Sequence, residues 1–163
     1  MQNSNGNIWF TGTKETGIGI LYDPKNYTIL DSKNGVPASE YLSLLSDNGI
    51  INIGTDYLGF FQFGKQSFIK YNATPELSTP YIFNIIDVKE KLYIVVSKKG
   101  ILEFDNTDFN NLKFIKTIPF SGRVSELYKS NNDKLLAATS NGLVEYDGVK
   151  LNTKFKTPCT SVF

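Results

Sequence analysis

The chain has no histidine, and among its 163 residues there is one cysteine (Cys159), one tryptophan (Trp9) and one arginine (Arg123). Without histidine no Ser-His-Asp or Cys-His arrangement can form, and the usual general base is missing. Zinc sites that lean on Cys and His ligands are excluded with it. One cysteine cannot close an internal disulfide, so cysteine usage is silent on redox compartment. Excess charge is lacking too: 17 Lys and Arg against 16 Asp and Glu leave a net +1. Phosphate contact needs a clustered cationic surface, so no nucleic-acid partner is expected. The charge gives no reason to expect an acidic partner or an anionic membrane. Long apolar runs are also absent. Residues 92–96 are among the longest, far below the roughly 20 needed to span a bilayer. The polar residues that follow Met1 are not the apolar stretch of a signal peptide. The segment is therefore expected to be cytoplasmic, already processed, or a piece of something longer. No metal or cofactor motif is present.

What is present is apolar and aromatic material, 40% and 13% of the chain, enough for a core. It is arranged as a repeat. The segments Gly59-Phe60-Phe61-Gln62-Phe63-Gly64, Gly100-Ile101-Leu102-Glu103-Phe104-Asp105 and Gly142-Leu143-Val144-Glu145-Tyr146-Asp147 share one pattern. Each is glycine, two apolar residues, Gln or Glu, an aromatic and a turn residue. The glycines are 41 and 42 residues apart. A further copy ends at Tyr22-Asp23, where Gly17-Ile18-Gly19-Ile20-Leu21 carries a one-residue slip. A second block lies upstream of each glycine: Ile8-Trp9-Phe10-Thr11-Gly12, Ile51-Asn52-Ile53-Gly54-Thr55, Leu92-Tyr93-Ile94-Val95-Val96 and Leu135-Leu136-Ala137-Ala138-Thr139. A third block precedes that in three copies, and a weaker fourth follows the glycine block. Repeats of this period read as four-stranded blades.

The blocks are short, rich in Ile, Val, Leu, Phe and Tyr, and separated by turn clusters such as Asn131-Asn132-Asp133. The second and third blocks of each unit are apolar at nearly every position, so both faces of the sheet are expected to be buried. The fold class read from this is all-β: β-propeller blades, four repeats of about 41 residues, each a four-stranded antiparallel sheet. The repeats run approximately over residues 1–35, 36–77, 78–119 and 120–158, with 159–163 opening a further strand. The first copy lacks its first strand. A tail that completes it would close a four-bladed ring; a boundary inside a strand instead suits an arc of a larger propeller, which is the reading favoured here. The recurring glycine is expected to supply a positive φ or a close backbone approach.

The blocks Asn5-Gly6-Asn7-Ile8-Trp9-Phe10-Thr11-Gly12 and Asp47-Asn48-Gly49-Ile50-Ile51-Asn52-Ile53-Gly54-Thr55 resemble the two-component regulator propeller repeat, and Asn141-Gly142-Leu143-Val144-Glu145-Tyr146-Asp147 matches its second half. The tryptophan of that repeat survives only at Trp9; Asn52, Tyr93 and Leu136 replace it. The resemblance implies a bacterial extracytoplasmic propeller, periplasmic or at the cell surface. Such repeats build the sensor regions of hybrid histidine kinases in Bacteroidetes, with oligosaccharides as typical signals. Kinase, receiver and DNA-binding segments are not part of this chain.

Propeller ligands usually meet the loops between strands two and three and between blades. On these loops lie Lys14, Glu15, Asp56, Tyr57, Lys98, Arg123 and Asn141, an aromatic plate with charges and amides that suits a sugar. Glu103 and Glu145, with Gln62 equivalent, are read as a repeated structural slot rather than a hydrolytic carboxylate pair. The expected function is a non-catalytic, ligand-sensing propeller segment of a two-component signalling protein. Its partners would be an oligosaccharide or other small ligand, and other blades of the same longer chain or a second copy. The alternatives are a structural or assembly propeller of a bacterial surface or secretion complex, and a fragment of a propeller hydrolase or lyase.

Overall fold

The computed structural model describes residues 1–2, 5–13, 15–47, 49–64, 67–71, 75–77, 81–108, 111–120 and 122–161. Among the described residues, fifteen strands form four antiparallel sheets in chain order. The first contains β1 (Ile8–Thr11), β2 (Ile18–Asp23) and β3 (Asn26–Leu30). The second contains β4 (Tyr41–Asp47), β5 (Ile50–Thr55), β6 (Phe60–Gly64) and β7 (Ser67–Tyr71). The third contains β8 (Ile82–Asp87), β9 (Lys91–Val96), β10 (Gly100–Asp105) and β11 (Lys113–Ile118). The fourth contains β12 (Val124–Lys129), β13 (Leu135–Thr139), β14 (Gly142–Tyr146) and β15 (Leu151–Phe155). In every sheet the strands pair in sequence order, as up-and-down meanders that form propeller blades. The first sheet has three strands. Met1 and Gln2 bond alongside β1, with Trp9 N–H donating to Met1 O at 2.7 Å. Among the described residues no strand follows β15, and Val162 and Phe163 lie outside them.

The chain divides into two compact units, Met1–Ile82 and Phe83–Phe163. In each, two blades pack face to face. In the first unit Trp9, Ile18 and Ile20 of one blade meet Tyr41, Ile51, Ile53 and Phe61 of the next. In the second, Tyr93, Val95, Ile101 and Ile118 meet Val124, Leu127, Leu135, Ala137 and Tyr146. The same contact recurs in both. The strand-two aromatic of one blade meets the strand-three aromatic of the next: Trp9 on Phe63 with centroids 5.3 Å apart, and Tyr93 on Tyr146 at 6.2 Å. This contact explains why the repeat keeps an aromatic near the end of strand three.

Register resolves the slip in the first copy. Ile20 stands opposite Trp9, as Gln62 stands opposite Asn52 and Glu103 opposite Tyr93. Leu21 therefore takes the aromatic's place, and Tyr22 is an extra, exposed residue absorbed by a shift in the β2–β3 pairing between Leu21 and Asp23.

The aspartate after strand three has its own local reason. Asp147 accepts from the backbone N–H of Val149 and Lys150 at 3.0 and 2.9 Å, and Asp23 and Asp105 close their turns in the same way. These bonds hold the Asp147 carboxyl down at about 2, first through the Lys150 N–H and then through that of Val149. Asp23 is lowered by Asn26 and Lys25, and Asp105 by Thr107. A carboxylate lowered by folding stabilises the fold above its unfolded pKa and loses that contribution as pH falls through its folded value. The urea midpoint is therefore expected to fall as pH drops from about 4 toward 2, the window set by these groups. A midpoint unchanged across that window would contradict the role given to the turns.

Candidate functional site

The turn from β9 to β10 and the segment entering β12 build a cleft of about 490 Å³ at one end of the second unit. Lys98 sits in that turn with φ 62°, and Gly100 opens β10. Arg123 is fixed by a reciprocal pair of bonds. Its N–H donates to Ser140 Oγ at 3.1 Å, and its carbonyl accepts from Ser140 N–H at 2.9 Å. From that anchor the guanidinium lies over the Phe83 ring at 5.8 Å. Ser97, Gly122 and Val124 complete much of the lining, and among the described residues no carboxylate contributes to it. Asn141 flanks the cleft; a Cβ on Gly122 would stand 2.7 Å from Ser140 Oγ and 3.1 Å from Asn141 Nδ2.

The lysines on the strands around Glu103 and Glu145 are taken up in ion pairs. Lys91 and Lys116 pair with Glu103 at 2.5 and 3.7 Å, and Lys134 and Lys154 pair with Glu145 at 3.1 and 3.0 Å. Lys98 and Arg123 have no ion-pair partner among the described residues. Their charge is left for whatever enters the cleft.

The first unit carries two neighbouring clefts on either side of Ala38. One, of about 360 Å³, is lined by Ser39, Glu40, Asp56, Tyr57 and Leu58. Tyr57 has φ 67° and is 61% exposed; its ring lies 4.4 Å from that of Tyr81, and the two hydroxyls are hydrogen bonded. Asp56 Oδ1 is buried without a hydrogen-bond partner among the described residues, and burial, then the Glu40 charge, raises the Asp56 pKa. The other cleft, of about 290 Å³, takes in Glu15, Asp31, Pro37 and Tyr41. The expected loop residues are thus distributed: Lys98 and Arg123 together with Asn141 beside them, Asp56 with Tyr57, and Glu15 with Asp31. Lys14 lies outside the described residues.

Sequence reasoning missed Phe83, Glu40 and Tyr81. Phe83 stands in a strand block whose pattern does not say which side chain reaches the loop end. Tyr81 lies just outside β8, and no local pattern says that its ring reaches Tyr57.

The strand-three slot is an interior bracket. Glu103 is fully enclosed and held by Lys91, Lys116 and the Tyr146 hydroxyl at 3.2 Å. Gln62 takes the same place and donates to Asn52 Oδ1 at 3.1 Å. Among the described residues, no group of three or more Asp, Glu, Cys or His side chains is placed to hold a metal ion, and no helix is long and apolar enough to cross a membrane.

Neither a protein-family model nor a curated protein sequence matches the chain. Solved structures do. Two crystal structures of the extracellular domain of BT4673 from B. thetaiotaomicron, assigned to a one-component system in one and to a hybrid two-component system in the other, are 18% and 19% identical. Each superposes with a TM-score of 0.70, over 93% and 94% of this chain. The extracellular domain assigned to the hybrid two-component system BT3049 of the same organism is 17% identical over 93% of the chain, with a TM-score of 0.67. The chain spans about a fifth of the length of these structures, 21 to 22%. The likeness establishes the propeller-blade fold.

Proposed function

We propose that this chain is a non-catalytic segment of an extracytoplasmic sensing propeller, periplasmic or at the cell surface, from a two-component signalling protein. In this reading the cleft between Lys98 and Arg123 receives an oligosaccharide or other small ligand through an acidic group. One observation carries the proposal: two cations line a cleft to which, among the described residues, no carboxylate and no ion-pair partner of either cation contributes. Phe83 would offer an apolar contact to a sugar ring. The fold shared with extracellular domains assigned to hybrid two-component systems supports the setting, as does the resemblance of Asn141 to Asp147 to the regulator propeller repeat.

Titration calorimetry with uronate-bearing or sulfated oligosaccharides, and with their neutral counterparts, tests this. Acidic sugars are expected to bind and neutral ones to bind at least tenfold more weakly. Arg123→Gln is expected to remove roughly ten- to hundredfold of the affinity for the acidic ligand, since a charge-assisted bond contributes about 1.5–3 kcal/mol. Affinity should also fall with added salt. Equal binding of both sugar classes, or an Arg123→Gln protein that binds as well as the parent, would refute the cleft as the contact.

A further inference from the structure

The fourth sheet presents, on the face turned away from the third, a second copy of the surface that the third sheet uses to hold the fourth. On the third sheet that surface is Ile86, Tyr93, Ile101, Glu103 and Ile118, and the fourth sheet packs on it. The matching strand positions of the fourth sheet are Tyr128, Leu136, Leu143, Glu145 and Phe155. Cross-strand pairing places them on one face: Tyr128 opposite Leu136, Leu136 opposite Glu145, and Leu143 opposite Phe155. The difference is cover. Ile118 is 5% exposed and its counterpart Phe155 57%.

The polar centre of the surface is duplicated as well. Glu103 carries two lysines, and its Oε2 lies 3.2 Å from the Tyr146 hydroxyl, which shares its proton between that carboxylate and Gly148 O at 2.7 Å. Glu145 also carries two lysines, Lys134 and Lys154, both on Oε1. Its Oε2 has no partner among the described residues. Burying a carboxylate is tolerated only when its charge is paired and its remaining lone pairs are met. The lysines at Glu145 supply the first condition, and the face lacks only the second. An apolar partner would leave Oε2 unmet, and an acidic one would be repelled.

We infer that this face docks a further sheet of the same kind, which presents a tyrosine hydroxyl to Glu145 as Tyr146 presents one to Glu103. A second copy of this chain does not meet the requirement. At the equivalent strand-three position Leu21, Phe63 and Phe104 have no hydroxyl, and Tyr146 is itself buried against the third sheet. The partner is a separate blade with tyrosine at that position. The inference is independent of what the Lys98–Arg123 cleft binds.

The test is a chain in which residues 120–158 are repeated once more after Pro158, measured by hydrogen exchange and circular dichroism. The added repeat carries its own copy of Tyr146. It is expected to fold, raising strand signal in proportion to length, and to slow exchange at the amides around Leu136 and Leu143. Tyr146→Phe made in the added copy alone is expected to lose roughly tenfold or more of that protection. Glu145→Leu in the parent repeat should lose it similarly. An added repeat that stays unfolded would overturn the inference. So would one that folds without protecting β13 and β14, or protection that survives both substitutions.

Discussion

Gly142→Ala is expected to destabilise the second unit by about 3 kcal/mol or more, from left-handed strain plus overpacking against backbone. Gly142 opens β14 at φ 121°, and a Cβ there would stand 1.8 Å from the Phe155 carbonyl oxygen. That oxygen is main chain and cannot swing aside. The close approach arises because the segment leaving strand four crosses over the start of strand three. Gly100 repeats it at φ 109°, with a virtual Cβ 2.6 Å from Ile118 O. For a unit of this size the thermal midpoint should drop by about 10–20 °C. Gly148→Ala is the control. Its φ is also positive, at 97°, but nothing lies within 4 Å of the added Cβ, so only the strain of about 1–2 kcal/mol remains. The two variants would be compared by calorimetry and by exchange of the β14 amides. Equal losses would show that the glycine is required for its dihedral angle alone and not for the crossing.

Trp9→Ala is expected to cost the first unit about 3–5 kcal/mol, the range for removing a large aromatic from a core. Trp9 is 5% exposed and joins the two blades through Phe63, within a cluster that includes Ile20, Tyr41, Ile51 and Ile53. Its indole N–H is buried without a hydrogen-bond partner among the described residues, which offsets part of what its burial contributes. Trp9→Phe removes that orphaned donor while keeping a ring against Phe63, so it should cost much less than the alanine change. Urea unfolding followed by far-ultraviolet circular dichroism measures both variants. An alanine variant as stable as the parent would mean that the blade-to-blade contact does not depend on this ring. The equivalent pair in the second unit, Tyr93 and Tyr146, has a different chemistry. Both tyrosines have phenol oxygens near Glu103, and burial raises the Tyr93 pKa well above the usual phenol range, with Glu103 adding to it.

The recurring glycine was legible because a positive φ beside a crossing backbone admits almost no other residue. The Asp that follows strand three was legible as a turn for a related reason: its short carboxylate reaches the N–H groups two and three residues on. The Gln or Glu of strand three was readable as a repeated slot, but its partners were not. Lys91 and Lys116 reach Glu103 from neighbouring strands, and the Tyr146 hydroxyl reaches it from another sheet. Nothing local links position 146 to position 103. The candidate site was legible only as a set of loops. Arg123 faces Phe83 and stands beside Lys98 because two blades meet there, and no spacing within one repeat encodes that meeting.

By itself the sequence determined that the chain is built of four β repeats, where the last three begin strand three, and which turns close on aspartate. Those features depend on backbone sterics and on contacts within a few residues, so they are written in short stretches. Tertiary structure alone decided the register of the first copy, because strands apolar on both faces look the same after a one-residue shift. It also decided which charges are spent and which are free. Glu103 and Glu145 take up four lysines through cross-strand packing, while Lys98 and Arg123, at a loop end where no carboxylate among the described residues lines the cleft, keep theirs.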